Sequence, residues 1–235
     1  MSIFLQADSL AVASEILTDD QQPVEKTLSI WELISSGGIG GQAIMLVLFI
    51  LLFFALYLYF ERLMAINKAS KIDANFMNNI KMNITSGKID AAKMLCAQTN
   101  SPVARLIEKG ISRIGKPLED INTAIENAGA LELYKLEKNT SMLATISGAG
   151  PMIGFLGTVL GMILAFHKMA SGGGQIEVGA LAEGIYTAMT TTVVGLIVGI
   201  VAYIGYNHLV VRTNKVVNQM EANAVEFLDL LNEPI

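Results

Sequence analysis

Three stretches of this chain contain no Asp, Glu, Lys or Arg: Ile34 to Phe60, Asn139 to His167 and Gly184 to Val211. Each is longer than the roughly 20 helical residues that cross about 30 Å of hydrocarbon, so three membrane helices are expected. Their cores fall near 43–60, 145–166 and 185–206. With 52% hydrophobic residues and a mean hydropathy of +0.51, the 235-residue chain is too apolar for an ordinary soluble domain, yet 16% of it is charged. The expected fold is therefore an all-α membrane protein whose helices extend into a substantial aqueous part.

Basic residues orient the spans, because Lys and Arg near span ends stay in the cytoplasm. Twelve of the sixteen lie between Arg62 and Lys138, and Arg212 and Lys215 follow the third span. Lys26 alone precedes the first span, and Lys168 alone lies between the second and third. The N-terminus is thus expected outside and the C-terminus in the cytoplasm. The resulting segments are an outer tail over 1–42, spans over 43–60, 139–168 and 184–211, a cytoplasmic helical segment over 61–138, an outer loop over 169–183 and a cytoplasmic terminal helix over 212–235.

The tail lacks a basic region ahead of an apolar core and carries Asp8 and Glu15. It is not expected to be a cleaved signal; an amphipathic helix on Ile3, Phe4, Leu10, Ala11, Ile16 and Leu17 and a disordered tail are its two readings. Within 61–138, Gly87, Ser101-Pro102 and Gly115-Lys-Pro117 divide helices expected near 62–85, 88–98, 102–114 and 118–138. The last meets no strong breaker before the second span, which predicts one continuous helix from Leu118 to Met169. A separate amphipathic helix is expected from Asn214 to Leu231.

Several function classes drop out. No basic stripe with interleaved aromatics suggests nucleic acid, and no phosphate-cradling loop or metal-spaced Cys/His cluster occurs. The lone Cys96 cannot form an intrachain disulfide and reads as a half-buried helix residue. His167 and His208 belong to opposite membrane sides and cannot pair on a metal. No cofactor, metal site or catalytic residue is expected.

What remains is in the second and third spans. Gly150, Gly154, Gly157 and Gly161 fall within about 60° of one another on a helix, a face that lets backbones approach closely. The third span has a matching stripe, Gly184, Ala188, Thr191, Gly195, Gly199 and Ala202, with Thr187 and Thr192 at its margins. Packing alone explains most of the glycines. The hydroxyls of Thr158, Thr187, Thr191 and Thr192 suggest in addition a polar track, although a membrane threonine often only bonds back within its own helix. The three stretches contain no Asp, Glu, Lys or Arg, and His167 and His208 sit at span ends outside the cores, so a proton path through the cores needs a titrating group from a partner.

Four segments carry a resemblance: Trp31-Glu-Leu33, Ser101-Pro-Val-Ala-Arg105, Gly150-Pro-Met-Ile-Gly-Phe-Leu-Gly-Thr-Val-Leu-Gly161 and Gly184-Ile-Tyr-Thr-Ala-Met-Thr-Thr-Thr-Val-Val-Gly-Leu196. Set in a three-span layout from about Leu28 to Val211, they resemble the MotA/TolQ/ExbB inner-membrane ion-channel subunits, most of all the ExbB and TolQ branch. The resemblance implies a bacterial inner-membrane homopentamer with a periplasmic N-terminus, whose second and third spans line a pore. It also implies a single-span partner of the ExbD/TolR type that brings a membrane aspartate, and a TonB-like protein that receives the work. Thr158 and Thr192 match the family's pore-facing threonines. Thr187 stands where that branch usually has a glutamate, which keeps sodium beside the proton as the transported ion. A TolQ-type or motility motor and a passive membrane scaffold are the competing readings.

Overall fold

A computed structural model describes residues 39–171 and 178–232. Most of the tail over 1–42, including Trp31, and the connector beyond Ser171 lie outside the described residues. Seven helices are present among the described residues: α1 (Ile39–Ala69), α2 (Phe76–Thr85), α3 (Ile89–Gln98), α4 (Pro102–Ile111), α5 (Leu118–Glu137), α6 (Thr140–Ser171) and α7 (Val178–Asn232). Three of them, α1, α6 and α7, are long and apolar enough to cross a membrane.

α1 is bulky all round, and its packed side is selected by spacing. Leu48, Ala55, Leu58 and Ile66 are buried against α6 and α7, while Leu46, Ile50, Phe53 and Tyr57 are exposed. An apolar helix with a bare apolar face suits a bilayer. The helix does not restart near residue 62 as expected. Nothing from Glu61 to Ala69 breaks it, so it runs to Ala69 and the chain turns over 70–75, where Asp73 Oδ1 accepts the Asn75 amide at 3.0 Å.

The small helices α2 to α5 form the core beyond the apolar stretches. Ser101 caps α4, its hydroxyl accepting the Ala104 amide at 3.1 Å, with Pro102 at the first helical position. α4 is the centre of this core: Val103, Ala104, Leu106, Ile107 and Ile111 are all buried. Gly110 permits this packing, because a methyl on it would stand 2.6 Å from Phe227 and 2.9 Å from Ile125, and both side chains would have to shift. Between α4 and α5, Glu132 is buried beneath Arg105 at 2.5 Å and Lys135 at 2.7 Å.

Two further expectations are corrected. The chain from Leu118 to Met169 is not one helix: Lys138 is extended (φ −50, ψ 132) and Asn139 is left-handed (φ 64), so α5 stops and α6 begins anew. Asn tolerates that backbone better than most residues. The turn is held from α1, where Arg62 Nη1 donates to the Lys135 carbonyl at 3.3 Å and so satisfies a helix-end acceptor. Conversely, no separate helix starts at Asn214. α7 continues for 55 residues, because Leu209, Thr213, Val216, Met220 and Phe227 carry one buried seam through the change from apolar to charged sequence.

Candidate ion pathway between α6 and α7

α6 and α7 form the tightest antiparallel pair in the protein, and glycine is what brings them together. A methyl on Gly195 would lie 2.6 Å from the Gly150 carbonyl oxygen and 2.8 Å from Gly154 Cα. One on Gly154 would lie 2.8 Å from the Thr191 carbonyl, and one on Gly161 would lie 2.8 Å from Ala188 Cβ. Gly157 leaves room for the Thr191 side chain. Gly150, Gly154, Gly157, Gly195 and Gly199 are buried, and Gly161 is half-buried. Each of these glycines faces the hairpin within the one chain.

Pro151 adds a feature that glycine spacing does not reveal. It lacks an N–H, which deprives the Ser147 carbonyl of its helical donor. Gly199 passes directly opposite: a methyl there would stand 2.9 Å from the Ser147 oxygen and 2.7 Å from the proline ring. The small residue therefore makes room for the proline ring as well as for the helix crossing.

The four threonines occupy three different settings. Thr191 is buried in the seam, where its hydroxyl lies 2.7 Å from the Ala188 carbonyl and 3.2 Å from that of Gly154. Thr192 donates to the same Gly154 carbonyl at 3.1 Å. One backbone oxygen of α6 thus collects two hydroxyls of α7. Thr158 is half-buried and donates back to Phe155 at 2.6 Å. Thr187 turns toward α1, its methyl in reach of Gly41, and its buried hydroxyl has no hydrogen-bond partner. Among the described residues no hydrogen bond joins Thr158 or Thr187 to the Thr191–Thr192 pair. No group of three metal-ligating side chains occurs among the described residues either.

Three helices long and apolar enough to cross a membrane, their exposed apolar faces and the close seam fit a polytopic helical membrane protein organised around its second and third long helices. The chain belongs to the MotA/TolQ/ExbB proton channel family, which matches residues 98–222. It is 27% identical over 135 residues to an ExbB homolog of Methanothermobacter thermautotrophicus, covering 57% of this chain and 47% of that protein. It is 26% identical over 218 residues to the Tol-Pal system protein TolQ of Pseudomonas aeruginosa, covering 88% and 94%. With the TolQ of Haemophilus influenzae it shares 37% over 98 residues, covering 42% and 41%. The chain therefore spans less than half of two of these relatives and nearly all of the third.

Proposed function

We propose that this protein is the channel-forming subunit of an ion-driven motor in a bacterial inner membrane, with no catalytic role and no cofactor. The observation that carries the reading is the pair of hydroxyls, Thr191 and Thr192, held on the Gly154 carbonyl between helices whose apolar stretches lack Asp, Glu, Lys and Arg. Hydroxyls can pass a proton or coordinate a cation without being able to store charge. The titrating carboxylate then belongs to a single-span partner of the ExbD/TolR type, seated among α6 and α7 helices of a homopentamer. The N-terminus is periplasmic and α2 to α5 are cytoplasmic in this arrangement, as the distribution of Lys and Arg supports.

The proton is the ion of first choice. A second reading, sodium, is favoured by Thr187, whose buried hydroxyl is without a partner and whose oxygen suits a hard cation. TonB-dependent import is the output we propose. The near full-length similarity to a Tol-Pal TolQ supports the alternative, an envelope motor.

Thr158→Val and Thr192→Val test the reading, since valine keeps the branched shape and removes only the hydroxyl. Both variants are expected to assemble normally and to lose gradient-driven function in cells. Wild-type function in both would favour a passive scaffold. Transport in sodium-free medium at fixed membrane potential separates the ions: full activity there excludes sodium, and collapse with a protonophore supports the proton. Native mass spectrometry tests the pentamer.

A further inference from the structure

The interruption between α5 and α6 opens a cavity of about 500 Å³, unconnected with the seam just described. Lys138, Asn139, Thr140 and Ser141 line it from the break, and Tyr206 and Thr213 line it from α7. Thr140 is 6% exposed and Thr213 is 3% exposed, and neither hydroxyl has a hydrogen-bond partner. Elsewhere the hydroxyls of Thr85, Thr99, Thr145 and Thr190 donate back to the carbonyl four residues earlier, and the other unpaired one, that of Thr187, lies away from this cavity. Thr140 begins its helix and has no preceding turn to bond to. Thr213 has such a turn and makes no such bond. Buried hydroxyls left unpaired on two different helices, both bordering one cavity, point to an occupant that pairs them.

The charge of the site gives the sign of that occupant. α6 is 32 residues long and starts at Thr140, so its first N–H groups and the positive end of its dipole face the break. The Lys138 ammonium adds to this field. Glu137 also borders the cavity and Glu61 reaches Asn139, but Glu137 is as exposed to water as Lys138, so these side-chain charges largely offset and the end of the α6 dipole sets the sign. Asn139 opens the uncharged stretch, which sets the cavity at the level where a membrane's headgroups meet the aqueous side. We propose that this cavity binds the phosphate group of a membrane phospholipid. Lys138 and the α6 N-terminus face the anionic oxygens, and the Thr140 and Thr213 hydroxyls donate to them. The site is independent of which ion the seam handles.

Native mass spectrometry of the whole protein in detergent provides the test, with added dioleoyl phosphatidylglycerol, with dioleoylglycerol, which has the same chains and no phosphate, and with inorganic phosphate. Wild type and Thr213→Ser are expected to retain the phospholipid. Thr140→Val, Thr213→Val and the exposed change Lys138→Gln should each retain it roughly tenfold less. The phospholipid should raise the melting midpoint of wild type and Thr213→Ser, and not that of Thr213→Val. Equal retention of dioleoylglycerol, or undiminished phospholipid on the Thr140→Val, Thr213→Val double variant, overturns the proposal. So does binding of inorganic phosphate without retention of the lipid.

Discussion

The Tyr59 hydroxyl on α1 and Nδ1 of His208 on α7 stand 2.8 Å apart, a polar tie between two otherwise apolar helices. Gly205 allows it, since a methyl there would come within 3.1 Å of the Tyr59 ring. Arg212 Nε lies 3.4 Å from His208 Nε2, and arginine can only donate, so Nε2 accepts and Nδ1 carries the proton toward Tyr59. Tyr59→Phe removes the acceptor. A loss of about 1 kcal/mol is expected, seen as a lower melting midpoint in detergent with helix content unchanged. An unchanged midpoint would show that the tie contributes nothing.

Gly195 and Gly148 make a matched pair. Alanine at 195 meets three backbone atoms of α6 that cannot turn aside, whereas alanine at 148 meets nothing within 4 Å. Gly195→Ala should destabilise the hairpin by about 3 kcal/mol and impair assembly. Gly148→Ala should be neutral or stabilising by about 0.5 kcal/mol. Comparable melting curves for the two variants would contradict the seam as described.

Glu132 lies beyond the uncharged stretch of α6, and its titration has a defined direction. Burial pushes its carboxyl up, but the hydrogen bonds from Arg105 and Lys135 outweigh burial and hold it below its usual 4.5. Its contribution to stability is therefore complete above that value and is lost as pH falls through the lower folded value. Glu132→Gln should cost about 2 kcal/mol at neutral pH and flatten the acid limb of the stability profile. Denaturant midpoints measured from pH 7 down to about 3 give the comparison. Parallel profiles for variant and wild type would exclude Glu132 as the titrating group.

Cys96 is buried on α3, and burial, with a smaller push from Glu108, raises its thiol to about 12. The thiolate is the reactive form. Maleimide labelling of the folded protein at pH 8 should be slower than that of the unfolded chain by on the order of a thousandfold. Rapid labelling under native conditions would mean that α3 opens readily.

The glycine face of α6 could be read directly, because a helical period of small residues has one geometric use in lipid, and Gly150, Gly154 and Gly157 do meet α7. The end of α5 could not. Neither Gly nor Pro marks Lys138–Asn139, and the partner of the freed carbonyl, Arg62, lies 73 residues away. The unity of α7 was obscured for the opposite reason. Hydropathy changes sign after Val211, whereas the buried repeat through Leu209, Val216 and Phe227 does not. The settings of Thr187 and Thr191 also escape one-dimensional reading. They differ by only about 40° around the helix, enough for α1 to take one and α6 the other.

Because α7 is unbroken from Val178 to Asn232, it is a single rod of about 80 Å shared by the apolar seam and the aqueous core. From Gly199 to Phe227 the rod measures about 40 Å, so a tilt of about 5° at the seam carries the Phe227 ring sideways by about 4 Å. That ring packs over Gly110, with no room between them for a methyl. A tilt of α7 at the seam would therefore be felt at α4.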